Sequence, residues 1–266
     1  FLWRAVRGGA EFGMNGLANI DGSPSERTQA LRRLIAAGEA ARGRLAACPI
    51  VYVHYSQDSL RLTAQYDRDR IGDTTYPGWH ALLTDLGYRV QFVNDETLLA
   101  ALTRGTEPSS RTIEGNGQPS GERMDLLVLP YSLVVDETLA AALAQWIQQG
   151  GRVIAGFGTA FFDGFARIYL RAPGGGLSEA LGVHIRGFDA DRPLSLRGLP
   201  TGSRPILQTR LAVNRADIVQ RSDPGFPMLV NKTNALYIGF DLGTLYMIAR
   251  EERESIRTWA RAHLGL

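Results

Sequence analysis

Cysteine is almost missing from this 266-residue chain. Cys48 stands alone, which excludes an internal disulfide and any thiolate metal cluster built within one chain. Lysine is as scarce: Lys232 is the only one among 29 basic residues, and the rest are arginine. Against 27 acidic residues this leaves a formal charge of +2, too small an excess to argue for nucleic acid or an anionic membrane surface as a partner. The four histidines, His54, His80, His184 and His263, lack the close spacing of a ligand set, so neither a metal nor a cofactor is expected. No apolar run approaches the ~18 residues that cross a bilayer. The N-terminus has no signal-peptide pattern and no initiating methionine. The chain therefore reads as a fragment, a processed product or one half of a split enzyme, with the cytoplasm as its expected compartment.

What is present is apolar content enough for one large core, or a core with a smaller unit, at 44% hydrophobic residues. The most telling stretch is Asp125-Leu-Leu-Val-Leu-Pro130, then residues 136–151, then Arg152-Val-Ile-Ala-Gly156. The unbroken run from Leu126 to Leu129 predicts a strand covered on both faces of a parallel sheet. Asp136 is placed to cap the next helix, and Leu139, Leu143, Trp146 and Ile147 share one of its faces. Gly150-Gly151 then supplies a left-handed exit. Strand, helix and strand at this spacing predict a right-handed crossover, which puts any ligand site at the C-terminal ends of the strands.

The remaining segments extend that pattern. Residues 1–22 are glycine-dense, a strand end and a loop. Ser23-Pro24-Ser25-Glu26 has the form of a capping box with proline at the first helical position. It opens a helix striped by Leu31, Leu34, Ile35 and Leu45 that Pro49 ends. Strands are predicted over 50–55 and 88–93, helices over 77–86 and 96–102, and a surface loop over 104–123. Shorter strands follow at 183–186, 206–213 and 228–230. Asn231-Lys-Thr-Asn234 makes a hairpin turn into a strand over 235–240, and a helix over 251–264 closes the chain. The expected domains are 1–22, 23–48 and 49–266. The expected fold is an α/β sandwich, flavodoxin-like or class I glutamine-amidotransferase-like, its sheet mostly parallel with antiparallel additions.

Catalytic groups are hard to find on this frame. A nucleophile at the strand-to-helix elbow would fall in Gly156-Phe-Gly-Thr-Ala160, where Thr159 is the only hydroxyl and no histidine is close in sequence. Cys48 lies ahead of the first strand, in the ordinary place of a small structural residue. Ser56 and Ser59, after that strand, are able to donate to a polyol or phosphate, or to cap the next segment and bond local backbone, which is the favoured reading. His54 reads as a structural histidine. Gly156-Phe-Gly and Gly174-Gly-Gly176 lack the lysine and hydroxyl of a nucleotide loop and read as turns. Asp163, Glu179 and Asp241 form no recognisable carboxylate pair. Phe157, Phe161, Phe162, Phe165 and Tyr169 are too dense for a solvent loop: they are core beneath it or an apolar patch covered by another subunit.

Taken in order, several segments resemble the middle, trimerisation domain of family 42 glycoside hydrolases, which are β-galactosidases. They are Val51-Tyr-Val-His-Tyr-Ser-Gln-Asp-Ser59, Tyr76-Pro-Gly-Trp79 with Leu82, Gly87-Tyr-Arg-Val90, Asp125 to Pro130, Gly150 to Val153 and Gly176 to Val183. Trp3-Arg4, Glu11, Gly16-Leu17 and Asp21 to Pro24 look like the last strand and exit of the catalytic barrel in the same or a neighbouring family. The resemblance implies an oligomerising accessory domain that helps wall a neighbouring subunit's active site, as a homo-oligomer (a trimer in the family) or against the catalytic barrel of the same protein. The family's catalytic glutamates and its cysteine metal site lie upstream of anything here, so no catalytic residue carries over. Trp3, Glu11, Tyr55, Ser56, Ser59, Tyr76, Trp79, Phe157, Phe161 and Phe162 are the candidate contacts to a sugar ligand or partner. The alternative is a stand-alone amidotransferase-like hydrolase or small-molecule binder using the strand rim.

Overall fold

The structure, a computed structural model, describes Ser23 and residues 26–66, 71–103, 124–190, 193–199, 206–223 and 225–266. Trp3, Glu11, Pro24 and Ser25 of the capping box and the 104–123 loop lie outside the described residues. The chain forms two units, Phe1–Cys48 and Pro49–Leu266. In the first, helix α1 runs over Glu26–Ala46, and Leu34 and Ile35 of its apolar stripe are exposed.

The second unit opens with β1 (Ile50–His54), α2 (Gln57–Tyr66), α3 (Ile71–Asp85), β2 (Arg89–Val93) and α4 (Asp95–Thr103). Then come β3 (Leu126–Leu129), α5 (Glu137–Gln148), β4 (Arg152–Ala155), α6 (Leu177–Leu181), β5 (Val183–Asp189) and β6 (Gln208–Val213). It ends with β7 (Asp217–Arg221), β8 (Pro227–Lys232), β9 (Ala235–Ile238), α7 (Leu242–Ile248) and α8 (Arg253–His263). Seven strands form one sheet in the order β2-β1-β3-β4-β9-β8-β7. The first five are parallel neighbours, β8 and β7 are antiparallel additions, and β5 with β6 forms a separate antiparallel pair. The mixed α/β architecture with a mostly parallel sheet is the one expected.

The central strands are apolar without interruption because helices cover both faces. Val51, Val53, Leu126 and Val128 pack with α3, α7 and α8, while Tyr52, Leu127 and Leu129 pack with α4, α5 and α6. Side chains of period two thus serve two cores. Around β3, α5 and β4 the local chemistry is as read: the Asp136 carboxylate accepts from the Leu139 amide at 2.9 Å, and Gly150 sits at φ +103°.

Other boundaries moved. Helix α3 begins at Ile71 and carries Pro77 in its interior, instead of starting at the proline. A proline removes one helical bond, yet the adjoining Gly78 lets α3 press against α7, where an added Cβ would fall on the Gly243 carbonyl. That packing keeps the helix continuous across the proline. The hairpin turn is shorter than expected, since Lys232 pairs with Ala235. Helices α2, α6 and α7 and strand β7 are additional to the elements the sequence pattern predicts. Each is short or carries few apolar residues at a clear period, so docking rather than propensity fixes it.

Candidate functional site: the strand rim

In a sheet ordered this way the crevice for a ligand lies between β1 and β3, where the chain direction of strand addition reverses. Here that crevice is filled. Ser56 and Ser59, at the start of α2, are fully buried, and their hydroxyls lie 2.7 Å apart. Ser56 Oγ donates to the Val134 carbonyl at 3.2 Å, and the Val134 amide donates to Ser59 Oγ at 2.9 Å. The two serines therefore stitch α2 to the segment after β3 and offer nothing to a ligand, in keeping with local backbone bonding. Tyr76 Oη accepts from the Ser56 amide at 3.2 Å and donates to the Tyr131 carbonyl at 3.4 Å. Burial pushes the Tyr76 phenol far above its ordinary value, despite the opposing bond from the Ser56 amide. Tyr76, Tyr131, Leu133 and Phe157 form a small apolar cluster that plugs the rim. Trp79, also a candidate contact, is core: 1% of its surface is exposed.

One constellation at the rim has the residue types of a hydrolase. His54 Nδ1 lies 2.8 Å from Ser132 Oγ, and His54 Nε2 faces Asp95 Oδ1 at 3.3 Å without hydrogen-bond alignment. Both His54 and Ser132 are fully buried. A nucleophile needs space for a reacting carbonyl about 3 Å away, with donors for its oxyanion. The buried hydroxyl has no such approach, so the pair is a structural link between β1 and the segment after β3. Sequence could not join His54 to Ser132, which are separated by 78 positions with no motif between them. At the elbow, Thr159 is fully buried and its hydroxyl donates to the Gly156 carbonyl at 2.9 Å. Among the described residues no three His, Cys, Asp or Glu side chains come together as a metal site, and no helix is long and apolar enough to cross a membrane.

Among the described residues, apolar side chains stay open to solvent at two places near this rim. The first is a hollow of about 390 Å³ at the β1–β2 end, walled by Tyr55, Tyr76, Pro77, His80 and Phe92. The Tyr55 and Tyr76 rings are 4.9 Å apart, and His80 stacks on Phe92 at 6.1 Å. Phe92 is exposed because β2 is the sheet edge, a position that its strand pattern alone does not reveal.

The second is the loop after β4. Phe157, Phe161 and Phe162 turn inward, with Phe161 4.7 Å from Phe188. Phe165, Ile168 and Leu170 turn outward, at 83%, 61% and 105% exposure. The aromatic cluster is thus both core and patch, divided along the loop. The outward part is braced. Asp163 Oδ1 accepts from the amides of Phe165 and Arg167 at 2.9 Å each, and Oδ2 accepts from Arg167 Nε at 2.7 Å. The Arg167 guanidinium lies 5.1 Å from the Phe165 ring centre. Desolvation acts to raise the Asp163 carboxyl, but these bonds outweigh it and hold the carboxyl below the usual range. Tyr169 Oη donates to the Val135 carbonyl at 3.0 Å, and partial burial beside Glu137 and Asp163 pushes its phenol up to about 12.

The segment from β3 through β5 carries the braced loop and one side of the closed rim. Residues 118–196 match the family model of the β-galactosidase trimerisation domain. Solved structures agree in fold. A β-galactosidase from the psychrophilic Marinomonas ef1 is 18% identical with a TM-score of 0.58, covering 96% of this chain and 38% of that one. A polyextremophilic β-galactosidase from the haloarchaeon Halorubrum lacusprofundi is 19% identical with a TM-score of 0.61, covering 95% and 36%. An exo-β-1,4-mannosidase from Opitutaceae bacterium strain TAV5 is 15% identical with a TM-score of 0.56, covering 94% and 41%. The chain thus spans well under half the length of these enzymes. No curated protein matches it.

Proposed function

We propose that this chain is the non-catalytic, oligomerising part of a β-galactosidase-like glycoside hydrolase. The observation that carries the reading is the pairing of a closed crevice with an open apolar loop, the loop lying within the residues 118–196 that match the trimerisation domain. Tyr76, Tyr131, Leu133 and Phe157 occupy the place where a ligand of such a sheet would bind. Phe165, Ile168 and Leu170 meanwhile face solvent on a braced loop, the usual mark of a protein–protein contact. The parallel order β2-β1-β3-β4-β9 supports a flavodoxin-like or amidotransferase-like frame, used here as scaffold. In the assembled enzyme this domain helps wall a neighbouring subunit's sugar site, and the bond-breaking carboxylates come from a barrel elsewhere in the protein.

Light scattering coupled to size exclusion tests this directly. The full chain should elute as a multiple of its own mass at tens of micromolar. A monomer at that concentration overturns the reading. The alternative of a stand-alone hydrolase requires esterase or amidase turnover that falls when Ser132 is replaced by alanine.

A further inference from the structure

A ring of three cannot be built from one self-complementary patch. A three-fold axis never sets a surface opposite itself, so each copy must carry two different surfaces that fit one another. We propose that the knob Phe165–Ile168–Leu170 of one copy seats in the Tyr55–Tyr76–Phe92 hollow of a second copy of this chain. This rests on the oligomerising reading above and names the contact that produces it.

The two surfaces suit each other in shape, chemistry and charge. The hollow is about 390 Å³, walled by ring faces and Pro77. Tyr76's hydroxyl is turned away, engaged with Ser56 and Tyr131. Small-molecule sites of this size place polar groups to orient the ligand, whereas this one offers an apolar seat, better matched to protein side chains than to a sugar. The knob presents three large apolar side chains and is braced by Asp163 and Tyr169, so little ordering cost opposes docking. Exposed Arg167 and Arg171 flank the knob, although Arg167 is already paired with Asp163. Half-buried Asp95, whose charge acts on the Tyr76 phenol, opens α4 near the hollow. Opposite charges thus border the two surfaces, which favours this encounter over knob against knob.

Topology keeps a single chain from satisfying both. The hollow lies at the β2–β1 end and the knob follows β4, with β3 between β1 and β4. That is about 10 Å of sheet, and the pinned loop cannot fold back across it. Phe165, Ile168 and Leu170 are largely uncovered, Tyr55 and Phe92 only partly so, and Tyr76 hardly at all. Covering them supplies part of a standard interface of ~1,600 Å². They are the central anchor, with the charged flanks as rim.

The test uses the full chain in a Cys48→Ala background, with Leu170→Cys in one preparation and Phe92→Cys in another. Mixed and treated with a short bismaleimide, the two should cross-link to each other in preference to either alone. Separately, Leu170→Asp and Phe92→Asp should each raise the concentration for half-dissociation about 30-fold or more, with an unchanged circular dichroism spectrum. Leu170 is fully exposed and Phe92 is 43% exposed, and the unchanged spectrum checks that neither change unfolds the chain. An oligomer that cross-links only through paired Leu170→Cys chains, or that tolerates both aspartates, overturns this pairing while leaving the oligomerising reading intact. A wild-type monomer overturns both.

Discussion

His54 Nδ1 and Ser132 Oγ lie 2.8 Å apart, fully enclosed, and tie the end of β1 to the segment that follows β3. The contact has the chemistry of a nucleophile and its base but none of the access. It makes the closed rim a mechanical joint. Ser132→Ala should therefore abolish no hydrolytic activity and should lower stability, by roughly 1–3 kcal/mol, because His54 Nδ1 is left buried without its partner. Urea unfolding measures the loss, and esterase and amidase assays on both proteins measure the rest. Any turnover that disappears with the hydroxyl would contradict the structural role.

The braced loop gives a prediction with a pH sign. Asp163 binds its proton less readily when folded than a free carboxyl does, so its support is fully present above the ordinary carboxylate range. It is lost as pH falls through the lowered folded value. Asp163→Asn should loosen the loop at neutral pH, read as faster amide exchange at Phe165 and Arg167, while the melting temperature moves little. If the knob is the assembling contact, the same change weakens association. Exchange rates equal to wild type would show that backbone packing alone shapes the loop.

Asp241 behaves in the opposite sense. It caps α7, accepting from the Thr244 amide at 3.0 Å and from the hydroxyls of Thr75 at 2.5 Å and Thr244 at 2.6 Å. Burial raises its carboxyl above the usual value, and these bonds only partly offset that. The folded state thus holds the proton more tightly than the unfolded chain, and stability from this group falls as pH rises through the folded value. Asp241→Asn keeps an acceptor for the cap and removes the titration. Melting temperature plotted against pH should flatten for the variant; an unchanged slope counts against the assignment.

Backbone contact between α3 and α7 predicts a severe effect from one methyl group. An added Cβ at Gly78 would land on the Gly243 carbonyl, which cannot rotate away as a side chain can. Gly78→Ala should destabilise by about 1–3 kcal/mol or more, overriding the helix preference of alanine. Gly38→Ala, where nothing lies within 4 Å, should instead be neutral or slightly stabilising. Comparing the two by thermal unfolding separates steric from propensity effects. Similar behaviour at both sites would sink the close-approach account.

The sequence by itself determined the parallel core. Leu126 to Leu129, the Asp136 cap and the Gly150 exit are local and periodic signals, and local physics suffices to place a strand, a helix and a stop. It also separated this chain from disulfide and thiolate-cluster proteins, since Cys48 has no second cysteine to join. Tertiary structure decided the fate of the candidate side chains. Ser56 and Ser59 stand at the end of a strand in either outcome, and only the arrival of Val134 from a distant segment turns them inward. Phe161 and Phe165 are alike in the sequence, yet one meets Phe188 and the other meets water. Which aromatic is core and which is surface depends on contacts between residues far apart along the chain, and no local pattern encodes those.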